Sequence, residues 1–469
     1  MKTENSYDFA VIGGGSAGYA AARTATELGL KTVVIDGAEE LGGLCILRGC
    51  MPSKTLIESA NRYLTLKRAS EFGLRASGLE VRRGEIHERK LRLIEDFASY
   101  RRGQLEKGAF DLVRGRAAFV SPDEVEVELR DGGTRRVAAH TFLVATGSVN
   151  SIPDVPGLAE SGYVGSDEVL DARELPESLI VLGGGPIALE LAHFHHALDV
   201  PTTVIQRSAH VLSGQDPEMA TVLEEALRAG GMDLRTGTRL LRVERREGGG
   251  VEVHFEHERR EHCVAAAQLL CALGRRPAVE GLGLEQAGVN MEKGVPAIDS
   301  RQRTSQGHIF AAGDACGPYE VVHLAIEQGE AAARNAAVRL RGGGDEKMEE
   351  MDYRLKLFAM FTHPEFASVG LTPDEARAAG HDVRVATYPF DDHGKSMVMG
   401  ETHGCVQLIA DAADGRLLGG AVVGPAASDL IHEVVVAMHF RSTAAQFASI
   451  PHYHPTLSEI WTYPAEDLM

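Results

Sequence analysis

The sequence predicts an α/β fold in which one strand–turn–helix–strand unit occurs twice. Three observations predict it: two short apolar runs that end in glycine-rich turns, an apolar helical stretch after each turn, and a second apolar run closed by a polar residue. The first unit begins with the strand Tyr7 to Ile12, followed by Gly13-x-Gly15-x-x-Gly18 and an Ala-rich helical stretch from Ala17 to Leu28. The run Thr32 to Ile35 follows and is closed by Asp36. One glycine makes the turn, one lets the backbone approach a pyrophosphate, and one lets helix pack on strand. The helix N-terminus offers free N–H groups to phosphate, and Asp36 falls where a carboxylate accepts from ribose hydroxyls. The second unit has the strand Leu179 to Leu182, then Gly183-x-Gly185-x-x-Ala188, a helix through His195 and the strand Thr202 to Ile205. The expected architecture is two Rossmann-like dinucleotide-binding domains in one chain.

Between the two units stands Gly42-Gly43-Leu44-Cys45-Ile46-Leu47-Arg48-Gly49-Cys50-Met51-Pro52-Ser53-Lys54. Two cysteines separated by four residues, beside a helix start expected at Pro52, are suited to a disulfide that opens and closes in turnover. A thiol near a helix N-terminus sits in positive potential, which favours the reactive thiolate. The alternatives are a metal clip or two inert buried thiols. A structural zinc site uses four ligands in close pairs, and Cys263, Cys271, Cys316 and Cys405 form no such pair. Two nucleotide sites beside a dithiol suggest one electron path, from nicotinamide through flavin to disulfide.

Composition restricts the remaining classes. A net charge of -19 argues against nucleic acid as a partner. No run of 18 apolar residues occurs, so no membrane helix is expected. Six cysteines in 469 residues indicate a reducing compartment, with cytoplasm as the expected location. The N-terminal residues do not read as a secretory signal. His193, His195 and His196 look like a metal cluster by eye. They are expected instead to be solvated or core-edge side chains, and no metal site is expected.

Further motifs follow in order: Ala145-Thr146-Gly147, Glu190 within Gly-Gly-Gly-Pro-Ile-Ala-Leu-Glu, Ala272 to Pro277, Ala311-Ala312-Gly313-Asp314-Ala315, and His452-Tyr453-His454-Pro455-Thr456-Leu457-Ser458-Glu459. With the glycine turns and the dithiol, they make the chain resemble the pyridine nucleotide–disulfide oxidoreductases from about Tyr7 to about Tyr463. Lipoamide dehydrogenase, glutathione reductase and mercuric reductase are members of that family. The resemblance implies FAD as cofactor, a C-terminal α+β dimerisation domain and a homodimer. It also implies transfer from NAD(P)H through FAD and a Cys45–Cys50 disulfide to a small disulfide or related acceptor. Cys50 would face the flavin and Cys45 would exchange with substrate. His454 would be the base, oriented by Glu459. Lys54 would lie beside the flavin with Glu190 as its ion-pair partner. Gly13, Gly15, Ser16, Gly18, Asp36, Gly43, Lys54, Thr146, Gly147, Gly313 and Asp314 would hold FAD.

The tail from Trp461 to Met469 has no cysteine, unlike mercuric reductases and the larger thioredoxin reductases, and Ser53 stands where glutathione reductases typically have lysine. The C-terminal segment is most similar to lipoamide dehydrogenase. Departures are Leu44, Leu47 and Arg48 around Cys45, and Asp36 in place of the commoner glutamate. A mercuric reductase-like enzyme, a glutathione or small-disulfide reductase, and a component of a 2-oxoacid dehydrogenase complex are the alternatives. The nicotinamide site is assigned to Gly183, Gly185, Gln206, Arg207 and Gly274. NADPH is expected over NADH, because Gln206 replaces the carboxylate that would repel a 2′-phosphate and Arg207 follows it. The expected segments are 1–150 (first FAD portion), 151–276 (nicotinamide domain), 277–348 (return to the FAD site) and 349–469 (dimerisation domain).

Overall fold

The computed structural model describes residues 6–469, which fall into two compact units. The first holds the chain up to Pro52, Arg89–Ser151 and Arg275–Asp352; the second holds Ser53–Glu88, Ile152–Gly274 and Tyr353–Met469.

In the first unit the strand Tyr7–Ile12 pairs in parallel with Thr32–Asp36 on one side and with the end of Thr134–Val144 on the other. The sheet extends to Asp111–Ser121 beyond Thr32–Asp36, and to Ile309–Ala311 beyond Thr134–Val144. The alternation of side chains along a strand divides Tyr7–Ile12 between two cores. Phe9 and Val11 face the helices, in a layer with Ala17, Ala21, Ala22, Ala25, Ala332, Ala333 and Ala336. Ala10 and Ile12 face the other layer, with Val33, Ile35, Val113 and Phe142. The alanines allow the helices Ser16–Glu27 and Val322–Leu340 to approach closely: a β-carbon at Gly329 would lie 2.2 Å from the Ala17 carbonyl oxygen.

In the second unit a parallel sheet runs in the order Gln268–Cys271, Leu179–Leu182, Thr202–Ile205, Asp233–Arg235. It is accompanied by an antiparallel sheet of Arg239–Arg245, Val251–His257 and Arg260–Ala266. A five-stranded sheet from Leu357–Met360 to Val383–Pro389 carries the helix Ala427–His439, over a core that includes Phe390, Ile431, Val434, Phe447 and Trp461. The chain is thus an α/β fold with two Rossmann-like elements and a C-terminal α+β region.

Two sequence expectations are corrected. The helix expected at Pro52 begins at Cys50 and runs to Lys67, preceded by the short helix Leu44–Arg48. His193 and His195 are neither solvated nor at the core edge. Both are buried in the helix Pro186–Ala197, at 2% and 3% exposure. His193 Nε2 meets Asn61 Oδ1 at 2.7 Å, and His195 Nδ1 meets the Leu191 carbonyl at 2.7 Å. Burial lowers the two imidazoles to about 3 and about 4, and both are neutral at pH 7.

Candidate active site

At the first glycine turn the φ of Gly13 is +105°, and a β-carbon there would lie 2.3 Å from the Ala145 carbonyl oxygen, so no other residue fits. A β-carbon at Gly18 would lie 1.8 Å from the Gly13 carbonyl oxygen, which sets how closely the helix packs on the turn. Gly15 begins the helix without any side-chain cap, leaving the first N–H groups for a ligand, and Ser16 is the first helical residue. Asp36 is buried: Oδ2 accepts from Gly14 N at 2.8 Å and Oδ1 from Ala38 N at 2.8 Å. The carboxylate braces the turn with one bond per oxygen and keeps lone pairs for a further donor.

Nearby, Gly147 has a φ of +71°, and Thr146 Oγ1 is buried with no protein partner. Gly313 N donates to Gln328 Oε1 at 2.7 Å. Asp314 Oδ2 accepts from Ser148 Oγ at 2.6 Å, while Ser148 Oγ accepts from Arg275 Nε at 2.8 Å. Arg275 also donates to the Ser148 carbonyl at 2.7 Å and to Asn150 Oδ1 at 2.6 Å. The uncapped helix start and the orphaned Thr146 hydroxyl fit an FAD-type dinucleotide, whose phosphates and hydroxyls supply the missing partners. Ser148, Asn150 and Gln328 were not singled out from sequence; they act through residues far away in the chain, which no local pattern reveals.

The dithiol segment is built against the same turn. Gly43 has a φ of +80°, and a β-carbon there would lie 2.7 Å from Gly15 Cα. Cys45 lies in the short helix Leu44–Arg48, and the chain then folds back at Gly49, where a β-carbon would lie 3.1 Å from Cys45 Cα. Cys50 follows at once as the first residue of the next helix. The fold-back turns the chain past Cys45 just before Cys50 begins the next helix.

Sequence reading also passed over Arg101, within the basic helix Arg83–Glu106. Its guanidinium carbon stands 4.0 Å from the centre of the Tyr19 ring, and its Nε is buried without a partner. Burial lowers its pKa, and its interactions with Tyr19 and Cys45 oppose that shift. The cation that feels Cys45 therefore includes one from a distant helix, which adjacency in sequence did not suggest.

In the second unit Lys54 Nζ donates to both oxygens of Glu190, at 2.8 and 2.7 Å. Glu190 Oε1 also accepts from Phe361 N at 3.2 Å, and the ammonium lies 4.8 Å from the centre of the Phe361 ring. Glu190 is buried, and a charge pair with this much additional bonding is costly to break from one side.

The second glycine turn repeats the first: Gly183 has a φ of +118°, a β-carbon there would lie 2.3 Å from the Ala272 carbonyl oxygen, and Gly185 opens its helix without a side-chain cap. Gly274 has a φ of +115°. Gln206 is buried, with Oε1 accepting from Arg207 N at 3.0 Å. Arg207 is exposed, and its guanidinium makes no hydrogen bond among the described residues. The uncapped turn suits a second dinucleotide, with an exposed cation at the end of the following strand.

His454 Nδ1 meets Glu459 Oε2 at 3.0 Å; the imidazole is 80% exposed and the carboxylate 10%. Neighbouring His452 instead pairs with Glu433 at 2.6 Å. A buried carboxylate orienting an exposed imidazole leaves Nε2 available for proton transfer. No metal-ligating cluster of His, Cys, Asp and Glu occurs among the described residues, and none of their helices is long and apolar enough to cross a membrane.

Two uncapped glycine turns in one chain, with a two-cysteine segment built against the first, define a dinucleotide-dependent redox protein. The model of the pyridine nucleotide-disulphide oxidoreductase family matches residues 7–329, and that family's dimerisation domain matches residues 358–465. The chain belongs to this family. It is 33% identical to a dihydrolipoyl dehydrogenase of Bacillus subtilis, over 98% of this chain and 97% of that one. It is 34% identical to a dihydrolipoyl dehydrogenase of Thermus scotoductus, over 100% and 98%. Among solved structures it is similar to the HOCl-induced flavoprotein disulfide reductase RclA of Escherichia coli in its Cu(II) complex. The TM-score is 0.85 at 25% identity, covering 99% of this chain and 100% of that one. The protein is an FAD-dependent, dihydrolipoyl dehydrogenase-like disulfide oxidoreductase.

Proposed function

We propose that the chain works as a cytoplasmic homodimer that exchanges electrons between NADPH and a small disulfide of the lipoyl type, through Cys45 and Cys50. FAD and the nicotinamide supply hydride chemistry when bound. The protein supplies a thiol pair, a proton carrier and fixed charges. Cys45 exchanges with the substrate disulfide: its thiolate attacks one sulfur, the other sulfur leaves as a thiolate, and His454 delivers the proton that neutralises it. Glu459 holds the ring for that delivery. Cys50 attacks the mixed disulfide at Cys45 and releases the second substrate thiol. Arg101 stabilises negative charge on Cys45. Lys54, one helical turn beyond Cys50 and fixed by Glu190, carries the positive charge that the flavin side of the reaction requires. His454 acts on Cys45 of the second copy, consistent with its exposure in a single chain. The segments 1–150 and 277–348 serve FAD, 151–276 the nicotinamide and 349–469 the dimer.

The observation that supports this reading is the fold-back at Gly49, which turns the chain past Cys45 just before Cys50, in a segment whose Gly43 packs against the flavin-side glycine turn. The experiment is an assay of purified protein with NADPH and NADH against lipoamide, oxidised glutathione, mercuric ion, small disulfides and quinones. Lipoamide with NADPH is expected to give the highest kcat/KM. Reduction should also create two thiols that can be alkylated at Cys45 and Cys50. Turnover that survives in Cys45→Ser would remove the dithiol from the path. For the dimer, mixing His454→Gln with Cys45→Ser protomers should restore activity, since one of the two sites then receives both intact groups. A single-chain mass at full activity would exclude that arrangement.

A further inference from the structure

Glu459 is contacted by a second imidazole. His393 lies just before the short helix Gly394–Met399 and has no solvent exposure. Its Nδ1 stands 2.8 Å from Ser396 Oγ. Its Nε2 is sealed from solvent without a well-aligned hydrogen-bond partner, and lies 3.4 Å from Glu459 Oε1. His454 uses the other oxygen, Oε2, at 3.0 Å. The assignment that suits every group has Ser396 donating to Nδ1 and the Nε2 proton directed at Glu459.

We propose that His393 is a positioning residue for the dyad, a second imidazole that holds Glu459 by Oε1 and takes up part of the carboxylate charge that would otherwise act on His454. This rests on the reading of His454 and Glu459 given above. The groups facing His393 are Glu459, His454, the backbone carbonyl of Thr456, the ring of Tyr463 at 6.4 Å and that of Phe390 at 6.4 Å. Burial lowers the His393 imidazole, Glu459 opposes the shift, and the ring is neutral at pH 7. A neutral N–H donor on one oxygen holds the Glu459 carboxylate in place. It also leaves less negative charge on the oxygen facing His454. Nothing else in the dyad has that effect, because Glu459 has no other side-chain partner among those resolved.

The sign distinguishes this role from packing. Loss of the His393 donor concentrates charge toward His454 and moves its titration to higher pH. A merely structural loss lowers activity equally at every pH. The test is the rate at which diethyl pyrocarbonate modifies His454 in the flavin-loaded enzyme, followed by peptide mass spectrometry across pH, which reads the ring directly and needs no substrate. In His393→Phe the midpoint should rise by about one pH unit, the size of one hydrogen bond to a charged group. Ser396→Ala keeps the ring but frees its tautomer, and should move the midpoint the same way by less. An unmoved midpoint in His393→Phe overturns the inference; if that variant does not fold, an unmoved midpoint in Ser396→Ala does so. Turnover of lipoamide by NADPH separates this from the parent reading. His454→Gln should lose roughly a hundredfold or more in kcat, whereas His393→Phe should lose about tenfold with KM nearly unchanged. If His454→Gln turns over normally, the dyad reading itself fails, whatever the midpoint does.

Discussion

The two glycine turns share a frame and differ in what closes it. A β-carbon at Gly13 or at Gly183 would lie 2.3 Å from a carbonyl oxygen of the neighbouring strand's continuation, Ala145 in one case and Ala272 in the other. Both helices open on an uncapped glycine. At the end of the second strand the likeness stops. Asp36 lies beside the turn and accepts from Gly14 N. Gln206 packs its stem against the corresponding glycine, with Cγ 2.8 Å from where a Gly184 β-carbon would lie, and turns its amide oxygen to Arg207 N. In folds of this kind the turn meets the pyrophosphate and the residue at the strand end meets a ribose, so the two turns are expected to share the first task and divide on the second.

The largest expected effect breaks one frame at a time. Gly13→Ala must adopt a φ of +105° and clear the Ala145 carbonyl, so the purified protein should lose its flavin and all turnover. Gly183→Ala meets the same obstacle at a φ of +118°, yet should keep its flavin and lose only the use of nicotinamide. The flavin-to-protein absorbance ratio, together with reduction by NADPH and by dithionite, reads both. Loss of flavin from Gly183→Ala would mean that the two turns do not serve separate ligands.

A smaller effect follows from the strand ends. A phosphate–arginine contact is worth about 1.5–3 kcal/mol, so NADPH should be preferred to NADH by one to two orders of magnitude in kcat/KM. Gln206→Glu with Arg207→Ala should reverse that preference, since a carboxylate accepts from ribose hydroxyls and repels the 2′-phosphate. Equal kcat/KM for both nucleotides in the unaltered enzyme would refute the assignment and leave the frame intact.

The same comparison shows what was legible from sequence. The strands Tyr7–Ile12, Leu179–Leu182 and Thr202–Ile205 were read to the residue, because short apolar runs bounded by glycines carry their own limits. The pairings Lys54–Glu190 and His454–Glu459 came through family resemblance, and the structure brings each pair within hydrogen-bonding distance. Arg101 on Tyr19, the Arg275–Ser148–Asp314 chain and His393 behind Glu459 were not legible. Each joins side chains that are distant in sequence and made neighbours only by packing. Burial of His193 and His195 was missed for a related reason. Polar residues on an otherwise apolar helix look like a wet edge until the Asn61 and Leu191 acceptors are seen.

That burial gives the smallest effect and the last contrast between the two turn helices. Ser16–Glu27 packs with alanines and contains no histidine, whereas Pro186–Ala197 seals His193 and His195 inside. Burial lowers the two imidazoles to about 3 and about 4, against a usual value of 6.5. His363, His196 and Arg83 contribute to the lowering. Unfolded chains take up protons at these positions as pH falls through 6.5, while the folded protein does not until far lower. The stability contribution is therefore complete above pH 6.5. It falls by about 1.4 kcal/mol per pH unit per histidine as pH decreases, levelling off only below the folded values. Between pH 6.5 and 5.5 the pair should cost roughly 2–3 kcal/mol, a fall of several degrees in Tm for the unit that contains them. His193→Gln with His195→Gln should lower stability at pH 8 but flatten its dependence on pH between 6.5 and 5. The comparison that decides is the difference in slope between the two proteins, because other groups titrate equally in both. Parallel slopes would mean that these histidines gain protons in the folded state as readily as in the unfolded one, and that the second helix is no more acid-sensitive than the first.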